Sequence, residues 1–351
     1  MTKRQKLQHG FSLMEALVAM GIAFVVLTAA GMMVTQGLRV TEFVTVRAEM
    51  QQDGRAAMNS ILKDLSLAGT GMPIGGVQLP TGNGSSPSIV GCGAGKCYLK
   101  NNNFPNNHMF AVLPDANDAN IQSGSADAIT VAYVDNSISL GTAVSINPAG
   151  SQIDLNSVKG LNIGDLVILT NVHGSAVGVI TDINKGASTI LCDASDPLNI
   201  NQPGATNGNI ASLKDPLPST TYPPTTVSRL TLVTYFLQQN AGLDGTMGTP
   251  DDQWQLMRQV GSFAATPVID GVENIQFSYD IFDDTASNPG GTLNTNNKNA
   301  NGAPALVRKI NVVISVRSPR KVGTGVAKDF SRLTLAAAVS PRNLSFQDRY
   351  K

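Results

Sequence analysis

The sequence predicts an α+β fold, in which a long N-terminal helix packs on a C-terminal antiparallel β-sheet and a β-rich module is inserted between the two. Residues 12–68 lack Pro and pass from a continuous apolar run to apolar residues spaced three, four or seven apart, which is typical of one long helix. Residues 227–344 contain long segments of alternating apolar and polar residues, which predict strands with one covered face. Residues 75–226 combine shorter strand-like segments with Gly-, Pro- and Asn-rich turns, and these predict the inserted module.

The first half of the helix has the composition of a membrane span. Residues 1–10 carry Lys3, Arg4 and Lys6 and no acidic residue, whereas residues 11–34 contain a single charge, Glu15. About 20 apolar residues are enough to cross a bilayer as a helix, and a basic flank stays in the cytoplasm. We therefore expect residues 11–34 to form the transmembrane half of the helix and residues 35–68 its amphipathic half.

The position of Gly10 distinguishes this N-terminus from an ordinary secretory signal. A secretory signal is cut after its apolar region, at small residues, but here no good small-residue site closes the apolar run. A cut after Gly10 would instead leave the helix on the mature protein, with Phe11 first and Glu15 fifth. A carboxylate in an apolar membrane helix costs roughly 2.5–3.5 kcal/mol, so Glu15 is a functional candidate that needs a partner.

The combination of a basic leader, Gly10, Phe11, three residues, Glu15 and a long apolar run resembles the class III signal of type IV pilins and pseudopilins. The resemblance covers residues 3–34. It implies that residues 1–10 are a leader removed by a prepilin peptidase and that Phe11 is N-methylated. It also implies that Glu15 pairs with the N-terminal amine of a neighbouring subunit in a filament. The alternative is an uncleaved single-pass anchor with an accidental Glu.

The second half of this pilin-type stem helix has one apolar face. With 1.5 Å per residue the whole helix is roughly 85 Å long, and Gly69 followed by Pro73 predicts its end. The polar residues off this face include Arg47, Gln51, Arg55 and Lys63. The face consists of Phe43, Val46, Met50, Ala57, Ile61, Leu65 and Ala68.

In the inserted module, the segment from Cys92 to Cys97 is the most distinctive feature. Two of its four intervening residues are Gly, so the two sulfurs can meet in a disulfide, which persists outside the cytoplasm. The same spacing is also half a metal site, although no second Cys or His pair accompanies it. Cys192 is then the odd thiol. The predicted strands of this region are 109–113, 128–134, 143–146, 166–170, 176–182 and 189–191, with loops at 75–107 and 193–227.

The C-terminal sheet, residues 227–344, resembles the PilW family of minor pilins, which are thought to help to initiate type IV pili. Its predicted strands are 230–237, 254–260, 272–282, 307–317 and 330–339, and residues 345–351 form a tail. The resemblance rests on Tyr235-Phe236-Leu237, Leu256-Met257-Arg258, residues 272–279 and residues 339–344, together with Ile61-Leu62-Lys63-Asp64-Leu65 in the helix. The J-type pseudopilin of type II secretion is a near relative.

Composition and motifs argue against catalysis and nucleic-acid binding. The formal net charge is zero and becomes −3 when residues 1–10 are removed, which does not suggest nucleic-acid binding, although residues 306–351 carry ten Lys or Arg and two acidic residues. No catalytic motif occurs, and His108 and His173 stand alone in the sequence. We therefore expect no enzyme activity and no cofactor. One loop, with Asp244, Asp251, Asp252 and two Gly, loosely fits a calcium site, although turns commonly carry Asp.

These observations predict a PilW-like minor pilin that takes part in type IV pilus assembly or initiation as a filament or tip subunit. The expected partners are a prepilin peptidase, other major and minor pilins and the inner membrane. We expect a single-pass inner-membrane protein with its head in the periplasm, which later moves to the pilus at the cell surface. The alternatives are a membrane-anchored tip adhesin or binding module and a J-type pseudopilin.

Overall fold

A computed structural model describes residues 12–80, 90–91, 96–97, 108–115, 126–218, 220–242, 244–249, 252–283, 292–297, 304–322 and 329–345. Its main features are one long N-terminal helix, which we call the stem, and a β-rich head of packed antiparallel sheets. The predicted α+β fold is therefore confirmed.

The stem helix α1 spans Leu13–Leu67, 55 residues, as the sequence predicts. Ser12 caps its N-terminus: the Ser12 side chain accepts a hydrogen bond from the Glu15 amide at 3.1 Å. At the other end Ala68 leaves the helical conformation and Gly69 takes a φ of +79°, a conformation that Gly adopts without strain. The Gly69 amide then donates to the Ala132 carbonyl at 2.9 Å, so the chain passes directly from the helix onto the sheet.

The strands of the head pair antiparallel throughout the part of the chain that the structure describes. The short helix α2 spans Arg342–Ser345. In chain order the strands are β1 (Val77–Gln78), β2 (Val90–Gly91), β3 (Lys96–Cys97), β4 (His108–Met109), β5 (Val112–Asp115), β6 (Ala128–Thr142), β7 (Ser145–Ile146), β8 (Gln152–Asp154), β9 (Leu166–Asn171), β10 (Gly174–Val179), β11 (Asp182–Asn184), β12 (Thr189–Leu191), β13 (Thr226–Asn240), β14 (Gln253–Val260), β15 (Thr266–Asp270), β16 (Val272–Asp283), β17 (Thr292–Asn297), β18 (Val307–Val322) and β19 (Asp329–Val339).

The largest sheet is organised around β13. One edge of β13 pairs with β6, and its other edge pairs first with β9 and then with β14. β5, β10 and β15 complete seven strands. This sheet joins strands on both sides of the predicted boundary at residues 226–227, so that boundary does not separate two sheets.

The second large sheet has the order β17-β16-β18-β19, and the stem packs on β18 and β19. Val46, Met50, Ile61 and Leu65 of the stem are buried in the same core as the inward residues of β16 and β18, as the alternation in the sequence predicts. Phe43 was placed on the buried face, but it is 41% exposed because the head begins to cover the helix only at Val46.

A second, smaller core lies on the other face of the seven-stranded sheet. Leu166 and Ile168 of β9 belong to the main core, whereas Val167 and Leu169, on the opposite face, belong to the smaller one. A four-stranded sheet of order β11-β12-β8-β7 contributes to this core. The predicted strand 176–182 is here divided between β10 and β11, and the predicted loop 75–107 contains the short strands β1, β2 and β3.

Candidate functional site

The first half of the stem is exposed and apolar on all sides. Residues 13–45 are all exposed in the isolated subunit, and residues 16–38 contain no charge. The stem is the one helix in the described part of the chain that is long and apolar enough to cross a membrane. A helix that is apolar all round must be covered by lipid or by other apolar helices. This segment must therefore contact lipid or other apolar helices, and its function depends on that contact.

Glu15 lies in the first turn of this helix. Its amide donates to the Ser12 carbonyl at 3.0 Å as well as to the Ser12 hydroxyl, so Ser12 and Glu15 occupy the first and last positions of a capping-box sequence. The positive end of the helix dipole favours a carboxylate here. No cation contacts this carboxylate within residues 12–345 as far as the structure describes them. Gly10 and Phe11 lie outside the described residues, so cleavage, methylation and the pairing of Glu15 stay predictions.

The C-terminal end of the stem is joined to the head by a buried polar cluster, which we call the Asp64 joint. Asp64 accepts hydrogen bonds from the Tyr235 hydroxyl at 2.7 Å and from Arg258 Nε and Nη2 at 2.8 and 3.3 Å. The Ser60 hydroxyl lies 3.2 Å from the Tyr235 oxygen. Neighbouring strands supply the two partners, because Tyr235 of β13 pairs in register with Arg258 of β14. The joint therefore connects the stem to the seven-stranded sheet by an ion pair and a charged hydrogen bond.

The environment keeps Tyr235 and Arg258 of the joint protonated. Burial and the hydrogen bond to Asp64 raise the pKa of Tyr235, so that its hydroxyl stays a donor. The hydrogen bond to Asp64 also raises the pKa of Arg258. Tyr133 lies beside this cluster, and burial followed by the negative charge of Asp64 raises its pKa to about 12. Such a cluster is suited to hold two elements together, and neither Tyr235 nor Arg258 is poised to transfer a proton near neutral pH.

Three of the segments that carry the resemblance to minor pilins meet in the Asp64 joint. Asp64 is the fourth residue of the stem segment 61–65, Tyr235 begins one of the strand segments, and Arg258 ends another. Their positions in the sequence do not by themselves connect them. The available signal was an acidic residue that shares the helical spacing of the apolar face, since Asp64 lies three residues after Ile61 and four before Ala68.

The proposed calcium loop is only partly described. Asp244 accepts a hydrogen bond from the Thr246 amide at 2.7 Å, and Asp252 accepts one from the Gly248 amide at 2.6 Å. These are contacts of a folded turn. Asp251 lies outside the described residues, within which no group of three His, Cys, Asp or Glu side chains is placed to hold a metal. Calcium binding stays a prediction.

The other candidate residues are spread over the head. Cys92 and the side chain of Cys97 lie outside the described residues, so their disulfide also stays a prediction. Cys192 is a free, buried thiol, and burial raises its pKa to about 12, which makes it unreactive. His173 forms a surface pair with Asp215 at 3.2 Å, and His108 stacks on Phe110.

Comparison with known proteins identifies the N-terminus alone. The family model described as the prokaryotic N-terminal methylation motif matches residues 5–31. Searches of curated proteins and of solved structures found no significant match. The match supports a type IV pilin-like or pseudopilin-like protein that is anchored in a membrane, processed by a prepilin peptidase and assembled with other pilins. It leaves the head without an assigned relative.

Proposed function

We propose that this type IV pilin-like chain is a minor pilin of the PilW type that takes part in pilus assembly or initiation as a non-catalytic filament or tip subunit. The observation that carries the proposal is the exposed half of the stem, in which residues 16–38 have no charge and residues 13–45 are all exposed. A soluble enzyme has no use for such a surface. A filament subunit uses such an apolar surface in two places: it contacts lipid before assembly and the stems of other subunits afterwards.

The proposed processing follows from this surface. The peptidase cleaves after Gly10, Phe11 becomes the methylated N-terminus, and the chain waits in the inner membrane as a single-pass protein with its head in the periplasm. Glu15 then lies four residues, or roughly 6 Å along the axis, from the new N-terminus. The available cation at that depth is the N-terminal ammonium of a neighbouring stem. Because an unpaired charge in an apolar bundle is costly, this pair would set the axial register between subunits.

The finer assignment to the PilW type is supported by the Asp64 joint. Asp64 of the stem segment lies 171 residues before Tyr235 and 194 before Arg258 of the strand segments, yet it forms hydrogen bonds with both. The three residues thus form a structural unit that fixes how the head is mounted on the stem. Subunits that occupy the same position in an assembly need the same placement of the head on the stem.

The test is Glu15→Gln, measured as the fraction of the protein in sheared filaments relative to its level in the inner membrane. Gln also serves at this position of a capping box, so the helix N-terminus is kept while the charge is lost. We expect normal insertion, cleavage and head stability but a loss of incorporation of at least about 100-fold, because leaving one member of such a pair unpaired costs roughly 3–5 kcal/mol.

The matched control is Glu42→Gln, the same replacement at an exposed stem position nearer the head, which we expect to incorporate normally. Incorporation of Glu15→Gln at the wild-type level would contradict the role in register. Loss of the protein from the membrane would instead indicate a role in insertion.

A contact function of the head is the second candidate, and a distal apolar surface favours it. Val172 and Leu217 are 83% and 90% exposed. They flank the pair of His173 and Asp215, near the start of β13. Tyr235, which meets the stem, lies nine residues further along β13, or roughly 30 Å away. A Val172→Ser/Leu217→Ser variant that keeps filaments but loses attachment would favour an adhesin.

A further inference from the structure

We propose that the amphipathic half of the stem binds the stem of a second copy of this chain through two oppositely charged sides. Arg47 or Arg55 of one copy, depending on the direction of the offset between the stems, faces a cleft lined by Glu49 and Asp53 of the next. The inference deepens the proposed function and rests on it, because it requires parallel stems held side by side.

The four charges are sorted by helical geometry. Residues two apart on an α-helix point about 200° apart, that is, to nearly opposite sides. Arg47 and Glu49 are related in this way, as are Asp53 and Arg55. Glu49 and Asp53 are four apart and share one side. All four side chains are exposed, and none forms a hydrogen bond or ion pair within the described part of the chain. At one level along its axis, the stem is therefore acidic on one side and basic on the other.

The acidic side opens into a cleft of about 430 Å³ between the stem and the head. Glu49 and Asp53 line the stem wall, and Asp270 at the end of β15 adds a third carboxylate on the head wall. The cleft also contains Arg317, but that guanidinium donates to the Asp252 carbonyl at 2.8 Å and lies 4.5 Å from the centre of the Phe330 ring. Within the described residues Arg317 forms no ion pair with Glu49 or Asp53, so these two carboxylates remain open to an external cation.

The proposed register of the filament brings such a cation to the right level. If Glu15 of one copy meets residue 11 of its neighbour, the two stems are offset by four residues, or roughly 6 Å. The same offset places the neighbour's Arg47 or Arg55, depending on its direction, level with residue 51. That level lies midway between Glu49 and Asp53, about 3 Å along the axis from each. A guanidinium there can bind both carboxylates.

Because the two sides of the stem differ, the contact is heterologous: each copy uses its basic side towards one neighbour and its acidic side towards the other. Contacts of this type extend into an open helical array when the rotation between copies does not close a ring. The charge pattern of the stem therefore favours a growing assembly of parallel stems over a closed two-fold dimer.

The test uses two differently tagged copies of the full-length chain, produced together in the inner membrane, and measures their co-purification in mild detergent at low salt. One variant, Glu49→Arg/Asp53→Arg, has two basic sides; the other, Arg47→Glu/Arg55→Glu, has two acidic sides. We expect each variant paired with itself to co-purify at least about fivefold less than wild type, since several exposed pairs are lost together. The two variants produced together should co-purify at the wild-type level, because their sides are complementary again. Salt near 0.5 M should weaken the wild-type pair as well.

Lys63→Glu is the control, since it also reverses a positive charge at an exposed stem position, and it should co-purify normally. The inference is overturned if the wild-type copies fail to co-purify, or if the mixed variants remain as low as each variant alone. It is also overturned if both variants lose filament incorporation while the pairing of copies is unchanged, because the partner is then a different subunit. Filament incorporation of wild type and Glu15→Gln tests the proposed function separately, since co-purification from the membrane requires no filament.

Discussion

Removal of Asp64 tests how the head is mounted on the stem. The Asp64 side chain is only 7% exposed, and that of its partner Arg258 is 29% exposed. Asp64→Ala would leave the Tyr235 hydroxyl and the Arg258 guanidinium without their acceptor. Breaking a buried pair costs roughly 3–5 kcal/mol, and the partial exposure of Arg258 favours the lower end, because water can solvate the guanidinium. We expect a loss of about 3 kcal/mol in the free energy of unfolding.

The assay is thermal unfolding of a soluble fragment, residues 41–351, which keeps the covered part of the stem. With about 2.1 cal/mol/K of unfolding entropy per residue over about 310 residues, 3 kcal/mol corresponds to a fall of about 5 °C in Tm. Lys63→Ala, which changes the neighbouring exposed residue, should stay within about 0.5 kcal/mol of wild type. An Asp64→Ala variant that melts with Lys63→Ala would refute the reasoning.

A double-mutant cycle separates the ion pair from packing. Arg258→Met removes the guanidinium but keeps an apolar side chain of similar length, so the variant that carries both changes contains no unpaired buried charge. A buried ion pair replaced by apolar groups is often close to neutral. We therefore expect the double variant to be more stable than the sum of the single changes predicts, by at least about 1 kcal/mol. Additive effects would show that Asp64 and Arg258 do not depend on each other.

Three further predictions concern processing, packing and pH. Gly10→Val should block the peptidase and leave unprocessed protein in the inner membrane, whereas Gln8→Val should be processed; N-terminal sequencing that starts at Phe11 in the Gly10 variant would contradict this. Ile61→Ala should lower the free energy of unfolding by about 2–5 kcal/mol, because Ile61 is fully buried, while Leu67→Ala, at a position 37% exposed, should cost far less; equal melting temperatures would place both in solvent. Burial raises the pKa of Tyr133 and of Tyr222 from 10.0 to about 12, so the contribution of these two side chains to stability is complete below pH 10 and is lost as pH rises towards 12. Urea unfolding across this pH range, followed together with tyrosinate absorbance, measures the loss. A urea midpoint that stays constant from pH 10 to pH 12 would contradict the prediction.

The sequence by itself determined the stem. Its ends, its apolar half and most of its buried face follow from patterns within one turn or one span, and these patterns act locally, as the capping by Ser12 and the positive φ of Gly69 illustrate. The alternation in β16 and β18 likewise identified the side that faces the core, since neighbouring residues of a strand point to opposite faces. The signal around Gly10 and Glu15 could be recognised for the same reason, since all of it lies within one short segment.

Only the tertiary structure decided which strands share a sheet and where the stem is anchored. β13 was predicted as a strand, but its pairing with β6 and β9 depends on residues far away in the chain, and so the expected boundary at residues 226–227 is crossed by one sheet. The strand β15 contains Pro267, which is tolerated because β15 lies at the edge of the sheet. Asp64 lies 171 residues from Tyr235 and 194 from Arg258. No local pattern specifies such a contact, because its stability depends on removal from water of groups that meet only when both sheets and the stem have packed.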